Sequence, residues 1–207
     1  ALWTNKANWG NNYGVDYWSF NSSNIGTDDG LLVNVDTEIS QKASGPYRMK
    51  LNAGTQEKPL CFSGSGGFVF RNYSSNGRIY VGDEAAAYVS INGPYFCAYD
   101  GVYIAEGDYD ATVVLENGLL TSETHIFIGR HSGRTGTLTV NGGEVRTGFN
   151  GDTREAGWNR TIFVGGNDSS NPGTGILNVN GGIVQSKEIY LGGTTGISGT
   201  LNIDGGE

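Results

Sequence analysis

Residues 136–143 read Gly-Thr-Leu-Thr-Val-Asn-Gly-Gly, and the phrase returns as Gly-Ile-Leu-Asn-Val-Asn-Gly-Gly at 175–182 and as Gly-Thr-Leu-Asn-Ile-Asp-Gly-Gly at 199–206. A second phrase, an aliphatic–aromatic–aliphatic triplet followed by Gly or Ala, occurs five times, and its starts lie 23, 24, 36 and 27 residues apart. Self-similarity with a period in the twenties is typical of a solenoid. The second phrase begins at Ile79, Val102, Ile126, Ile162 and Ile189.

Each repeat divides into three short strand-like pieces. In one coil these pieces are residues 126–128, 138–140 and 144–146, where apolar residues alternate with others and Gly or Asn-Gly marks the corners. Such coils stack in parallel about 4.8 Å apart. The sequence therefore predicts an all-β protein, a parallel β-helix (solenoid) of about five to six triangular coils. An antiparallel sandwich would not explain why the same side chains recur from coil to coil.

The alternation also assigns side chains to the interior. The aliphatic residues that flank each aromatic are expected to face inward and to stack in columns, together with the apolar residues of the other two strands. The predicted core positions are Ile126, Ile128, Leu138, Val140, Val145, Ile162, Val164, Leu177, Val179 and Val184.

The two ends of the chain differ from the repeats. We divide the chain into an N-terminal cap region, residues 1–55, and one continuous solenoid, residues 56–207. Trp3, Trp9 and Trp18 are expected to form an aromatic-rich cap, because a solenoid must cover its first coil. The stop at Glu207, partway through a coil, suggests an uncapped end, continued by a longer parent or covered by another chain. A start without Met fits a mature secreted form or an excised fragment.

Composition limits the possible partners. The formal net charge of −8 and a pI near 4.7 argue against nucleic acid, because phosphate binding needs a basic stripe. No apolar run approaches the length of a membrane-spanning helix, so no membrane insertion is expected. The 35 glycines follow short apolar runs, where they act as turn residues.

The two phrases resemble those of bacterial secreted β-solenoids of the autotransporter-associated β-strand repeat type. The opening Leu2-Trp3-Thr4-Asn5-Lys6-Ala7-Asn8-Trp9 is similar to the lead-in that often precedes such repeats, although it lacks the usual Pro. The resemblance implies a secreted or cell-surface location and a role as stalk, passenger or surface module. It implies no shared catalytic residues.

The middle residues of the aliphatic–aromatic–aliphatic triplets are expected to face outward as one column, which we call the outer aromatic ladder. Monomeric proteins seldom leave such a stripe bare. Three interpretations remain open: a cover by a loop or the N-terminal segment, a contact with another chain or domain, and a flat platform for stacking sugars. The ladder residues are Tyr80, Tyr103, Phe127, Phe163 and Tyr190.

The 36-residue spacing marks an insertion, residues 148–160. Trp158 between Arg154 and Arg160 could stack on a ring and hold an acidic group, or the loop could fold back over the ladder. We favour the second interpretation.

Other polar clusters give weak signals. Glu106, Asp108 and Asp110 alternate as Ca²⁺ ligands do but lack the full loop pattern, which favours a solvated corner. A second group holds bases and a carboxylate without a repeated acidic groove, so we expect no catalytic residue, no metal and no cofactor. This group comprises Glu123, His125, Arg130, His131 and Arg134.

Cys61 and Cys97 are expected to point outward on different faces, which argues against a disulfide. Four Asn-x-Ser/Thr sites would matter only in a glycosylating source. They lie at Asn21, Asn72, Asn159 and Asn167.

These observations together predict a non-catalytic structural module of an exported or cell-surface bacterial protein: a stalk, an adhesin passenger or a self-assembling filament subunit. Its partners would be other copies of the chain or adjacent coils of a longer parent, with polysaccharide as a further candidate. The alternative is a carbohydrate-binding or carbohydrate-cleaving β-helix.

Overall fold

The computed structural model describes residues 30–32, 36–39, 42–44, 48–70, 77–131, 133–148, 160–165, 173–193 and 196–207. Within these ranges the chain forms strands and turns and contains no helix. Every strand pairing is parallel, and the strands wind into a β-solenoid of about five turns. The predicted fold class is confirmed. None of the described segments is a helix long and apolar enough to cross a membrane.

The first strand of each coil lies in a seven-stranded sheet in which neighbours along the axis pair in register. Its members are β1 (Gly30–Leu32), β4 (Arg48–Leu51), β7 (Arg78–Val81), β9 (Gly101–Ile104), β11 (Ile126–Ile128), β14 (Thr161–Val164) and β17 (Glu188–Leu191).

The second and third strands of each coil form the other sheet, in two adjacent columns. The second column contains β2 (Thr37–Glu38), β5 (Leu60–Ser63), β12 (Thr135–Val140), β15 (Thr174–Val179) and β18 (Ser198–Ile203). The third contains β3 (Lys42–Ser44), β6 (Gly67–Phe70), β13 (Glu144–Thr147) and β16 (Ile183–Gln185). Two long strands, β8 (Ala87–Ala98) and β10 (Ala111–Ser122), run through both columns.

The interior is a set of apolar columns, as the alternation predicts. Leu138 pairs with Leu177 and Val140 with Val179 along β12 and β15, and all four side chains are buried. Of the ten predicted core residues, nine are buried, and Val184 is partly buried against the same core. The inward assignment is confirmed.

The corner after each second strand requires glycine. Gly143 and Gly182 both adopt a positive φ, near 70°. A Cβ added at Gly182 would lie 2.5 Å from the carbonyl oxygen of Gly143, one coil below. The Asn-Gly-Gly ending of the long phrase is thus explained by a left-handed turn in close contact with the preceding coil.

Paired strands extend N-terminally as far as Gly30, because β1 pairs with β4 and β4 pairs with β7. Strand pairing is therefore present within the segment that we assigned to a cap region, and the division of the chain at residue 55 stays a prediction. Trp3, Trp9 and Trp18 lie outside the described residues, so the aromatic cap stays a prediction.

Candidate functional site

The five predicted rings form one column. Tyr80, Tyr103, Phe127, Phe163 and Tyr190 occupy equivalent positions of paired strands. Their ring centroids are separated in order by 5.0, 5.1, 5.0 and 5.6 Å, with interplanar angles between 6° and 23°. Because the flanking residues belong to the main core and the rings to a separate cluster, the ladder is external. The rings thus form the predicted single column, and their role as a ligand or partner contact stays a prediction.

Stacking determines what the ladder can contact. An inner ring such as Tyr103 or Phe127 has a neighbouring ring against each of its faces. A sugar stacks on the face of an aromatic ring, so the inner rings offer no such surface. Tyr80, Tyr103 and Phe127 are buried, Phe163 is half-buried, and Tyr190 is 49% exposed.

Arg78 lies beside the first two rings. Its Nε is 2.5 Å from a carboxylate oxygen of Asp100, and it donates a 3.2 Å hydrogen bond to the hydroxyl of Tyr80. Its guanidinium carbon is 5.7 Å from the centroid of Tyr103. Burial raises the pKa of Tyr103 to about 12, so this hydroxyl is neutral at physiological pH. The ion pair and the cation–π contact hold adjacent coils together at the ladder.

A second cation covers the middle of the ladder. The guanidinium carbon of Arg130 lies 4.9 Å from the centroid of Phe127, and its Nη1 is 3.2 Å from a carboxylate oxygen of Glu106. Burial raises the pKa of Glu106, although Arg130 counteracts part of that shift. The arginine thus joins one coil to the carboxylate of the preceding coil.

His125 borders the ladder from the other side. Its ring centroid lies 5.8 Å from that of Phe127 and 5.4 Å from that of Phe163. Its Nδ1 accepts a 3.2 Å hydrogen bond from the backbone N–H of Thr161, the first residue of β14. Burial, followed by the charge of Arg160, lowers the pKa of His125. The neutral imidazole therefore caps the start of the next coil's first strand.

The ladder position of β4 is occupied by Lys50, in register with Tyr80. Its Nζ lies 2.8 Å from a carboxylate oxygen of Asp83 and 2.5 Å from one of Glu84. These hydrogen bonds raise the pKa of Lys50, that to Asp83 contributing most. The column of rings thus begins next to a cross-coil ion pair.

The acidic run has separate partners on the following coil. Glu106 pairs with Arg130, Asp108 lies 3.7 Å from Nδ1 of His131, and Asp110 accepts a 2.8 Å hydrogen bond from the backbone N–H of Thr135. No group of three His, Cys, Asp or Glu side chains suited to a metal ion occurs in the part of the chain that the structure describes.

The group of basic residues around β11 is distributed along the coil. His125 and Arg130 contact the ladder, and His131 lies beside Asp108. Glu123 is buried. The backbone carbonyl of Arg134 accepts a hydrogen bond from the N–H of Thr174 on the next coil. The contacts of these residues stabilise coil stacking.

Two other groups of predicted residues are only partly placed. Arg154 and Trp158 lie outside the described residues, so the proposed fold-back of the insertion stays a prediction. Arg160 is half-buried, and its carbonyl accepts a hydrogen bond from Ser186. Cys61 and Cys97 form no disulfide. Cys97 faces outward, because its neighbours Phe96 and Ala98 face the core, but its side chain is nevertheless buried.

Two residues that were not predicted to belong to the ladder, Arg78 and Lys50, lie at it. A signal existed for Arg78, because residues two apart on a strand share a face and Arg78 precedes Tyr80 by two. The ladder position of Lys50 could not be predicted, because its strand, Arg-Met-Lys-Leu, has a lysine where later strands have an aromatic residue.

Comparisons with protein-family models, with curated proteins and with solved structures gave no match for this chain.

Proposed function

We propose that the chain is a non-catalytic structural module, a rigid β-solenoid rod that serves as stalk, adhesin passenger or filament element of an exported bacterial protein. The observation that carries the proposal is the unbroken aromatic ladder, which continues through five successive coils beside the buried aliphatic columns. The seven strands of the first column span about 29 Å along the axis.

The contacts around the ladder support a mechanical role. Arg78, Arg130 and Lys50 each join coils through ion pairs or ring contacts, and His125 caps the following strand. A repeat protein is stabilised by interfaces between neighbouring units, so contacts of this kind resist axial separation of coils. Of the polar residues weighed for catalysis, Arg130 and His131 contact carboxylates of the preceding coil, and His125 contacts a ring of the next coil.

The repeat type and the location belong to the same proposal. The aliphatic–aromatic–aliphatic phrase forms first strands and the Gly-Thr-Leu phrase forms second strands. The autotransporter-associated type is proposed on the resemblance of these two phrases. We propose a secreted or cell-surface location on that resemblance, and protease accessibility on intact cells of the source organism tests it.

The rod function is tested by placing the chain between two compact fluorescent domains. We expect a single narrow interdomain distance, because the coils move as one stack. The matched control is Leu177→Asp, which should broaden the distribution by opening the local coils. A broad distribution for the unaltered chain would contradict the proposal.

The carbohydrate alternative is tested in parallel. The unaltered chain and Tyr190→Ala are compared on a panel of polysaccharides for binding and for release of reducing ends. We expect neither activity. Depolymerisation, or binding that Tyr190→Ala removes, would favour the alternative.

A further inference from the structure

Asparagine precedes glycine at the corner between the second and third columns of several coils. The pair occurs at Asn92-Gly93, Asn117-Gly118, Asn141-Gly142 and Asn180-Gly181. In such a pair the backbone nitrogen of the glycine can attack the side-chain carbonyl carbon of the asparagine and expel ammonia. The rate depends on how the two atoms are placed, because proximity and orientation lower the barrier of an intramolecular step. The dipeptide is the same at all four corners, so the fold around each one sets its reactivity.

Asn117 holds its side chain against its own glycine. The backbone N–H of Gly118 donates a 2.8 Å hydrogen bond to Oδ1 of Asn117. A carbonyl bond is about 1.2 Å long, so the nitrogen lies within about 4 Å of the carbonyl carbon, Cγ. Asn117 is exposed, so water has access to this corner. The attacking atom and the carbon that it attacks are thus held next to each other.

A break in the strand register accompanies this arrangement. β10 pairs with β8 through Asn117 and Asn92, but the register shifts on both sides of that pair. Gly118 therefore has no register partner in β8, as is typical of a bulge. Its φ of 105° lies in the region that favours glycine. The N–H of Gly118 is directed at its neighbour's side chain where the regular pairing is interrupted.

The two later corners hold the same dipeptide in another way. The N–H groups of Gly142 and Gly181 each donate to a carbonyl oxygen of the preceding coil, at 3.3 and 3.1 Å. The carboxamide of Asn141 is fixed at both ends. Its Nδ2 donates a 2.9 Å hydrogen bond to Glu116, and its Oδ1 accepts one of 2.9 Å from Asn180. Both glycine nitrogens and both carboxamides are thus held across coils and away from each other's reaction.

We propose that Asn117 is a site of spontaneous deamidation, at which the chain converts its own side chain to a mixture of aspartate and isoaspartate. The nitrogen of Gly118 forms a bond to Cγ and loses its proton, the Cγ–Nδ2 bond breaks, and ammonia leaves with that proton. Water then opens the cyclic imide at either carbonyl, which gives one carboxylate and one proton. Nothing is oxidised or reduced. This inference is independent of the proposed rod function.

The next coil packs against the bond that the reaction changes. A Cβ added at Gly143 would lie 2.7 Å from the nitrogen of Gly118 and 3.0 Å from the carbonyl carbon of Asn117. Isoaspartate inserts one methylene group into the backbone between these two residues, and close packing leaves no room for it. The product also places a carboxylate next to Glu116, which accepts a hydrogen bond from Asn141. Isoaspartate at this corner should therefore weaken the contact with β12 and β13.

The site is tested by incubating the full chain in mildly alkaline buffer and following each asparagine by peptide mass spectrometry. We expect Asn117 to convert about tenfold faster than Asn141 and Asn180. Asn92 is the matched comparison, because it is also exposed and is in register with Asn117, but in the described part of the chain it makes no hydrogen bond to its own glycine. We expect Asn92 to be slower too, and the four rates to converge when urea unfolds the chain. Equal rates at Asn117 and Asn92, or the same ranking in urea, would overturn the proposal.

The effect on the next coil is tested by hydrogen exchange of β12 and β13 in fresh and aged samples. Asn117→Gln is the control, because its side chain is one methylene longer and does not form the five-membered imide. We expect exchange about threefold faster in the aged unaltered chain, and no change on ageing in Asn117→Gln. Unchanged exchange after conversion of Asn117, or equal acceleration in the control, would overturn the link between this site and coil stacking.

Discussion

Replacing Phe127 by Ala tests whether the ladder stabilises the stack of coils. Phe127 lies between Tyr103 and Phe163 at 5.1 and 5.0 Å and beneath Arg130 at 4.9 Å. Each ring pair contributes about 0.5–1.5 kcal/mol and the cation–π contact about 0.5–1 kcal/mol. Together with the apolar area lost, we expect a decrease of about 3–5 kcal/mol in the free energy of unfolding.

Tyr190→Ala is the matched comparison, because this ring has one stacking partner and is half-exposed. We expect it to cost about 1 kcal/mol. Unfolding in urea, followed by circular dichroism and by hydrogen exchange of β9, β11 and β14, measures both variants. Exchange should accelerate first in these three strands for Phe127→Ala.

A double-mutant cycle isolates the stacking term. Tyr103→Ala and Phe127→Ala remove adjacent rings, and we expect a coupling energy of about 1 kcal/mol between them. If Phe127→Ala cost no more than Tyr190→Ala, or if the coupling were zero, the ladder would be a consequence of the stack and not a source of its stability.

Three further predictions concern the core, the corner and the pH dependence. Leu177→Asp should unfold the coils around β15, because a lone carboxylate would be buried there; a soluble variant with unchanged melting would contradict the inward assignment. Gly182→Ala should cost about 2 kcal/mol because of its positive φ and the close Gly143 carbonyl. Gly193→Ala, where an added Cβ would meet no atom within 4 Å, should be neutral in the same melting experiment. Because burial lowers the pKa of His125 below its unfolded value, its contribution to stability is present above about pH 6.5 and is lost as the pH falls through the folded pKa. The unfolding free energy of the unaltered chain should therefore fall more between pH 7.5 and 5.5 than that of His125→Gln, and equal slopes would show that His125 is not the titrating group.

The coils with strong phrases were predictable from the sequence. Two triplets show this, Ile126-Phe127-Ile128 and Ile162-Phe163-Val164. In each, the alternation of residue types predicts which side chains face inward and which face outward, and aligning the two triplets predicts the register in which the strands pair. Period-2 alternation predicts the side of each side chain from local sequence alone, because each strand of the stack has the same inward and outward positions as its neighbour.

The early coils and the polar contacts were less predictable. β4 carries Lys50 where later strands carry a ring. The position of Lys50 in the ladder column follows only from the pairing of β4 with β7, which the local sequence does not predict. The burial of the outward-facing Cys97 could not be predicted either, because alternation indicates which way a side chain faces and not how exposed it is. The partners of Arg78 and Arg130 are more than twenty residues distant, and the sequence does not specify these pairings.

Strand pairing in this protein keeps its register when the number of residues between the paired strands changes. Ile126 pairs with Ile162 in register although 36 residues separate them, where the preceding step takes 24. Evolution can therefore lengthen a corner of this scaffold without rewriting the coils on either side of it, and can vary the number of coils by duplicating whole units. The length of the rod and the length of its loops can therefore change independently during evolution.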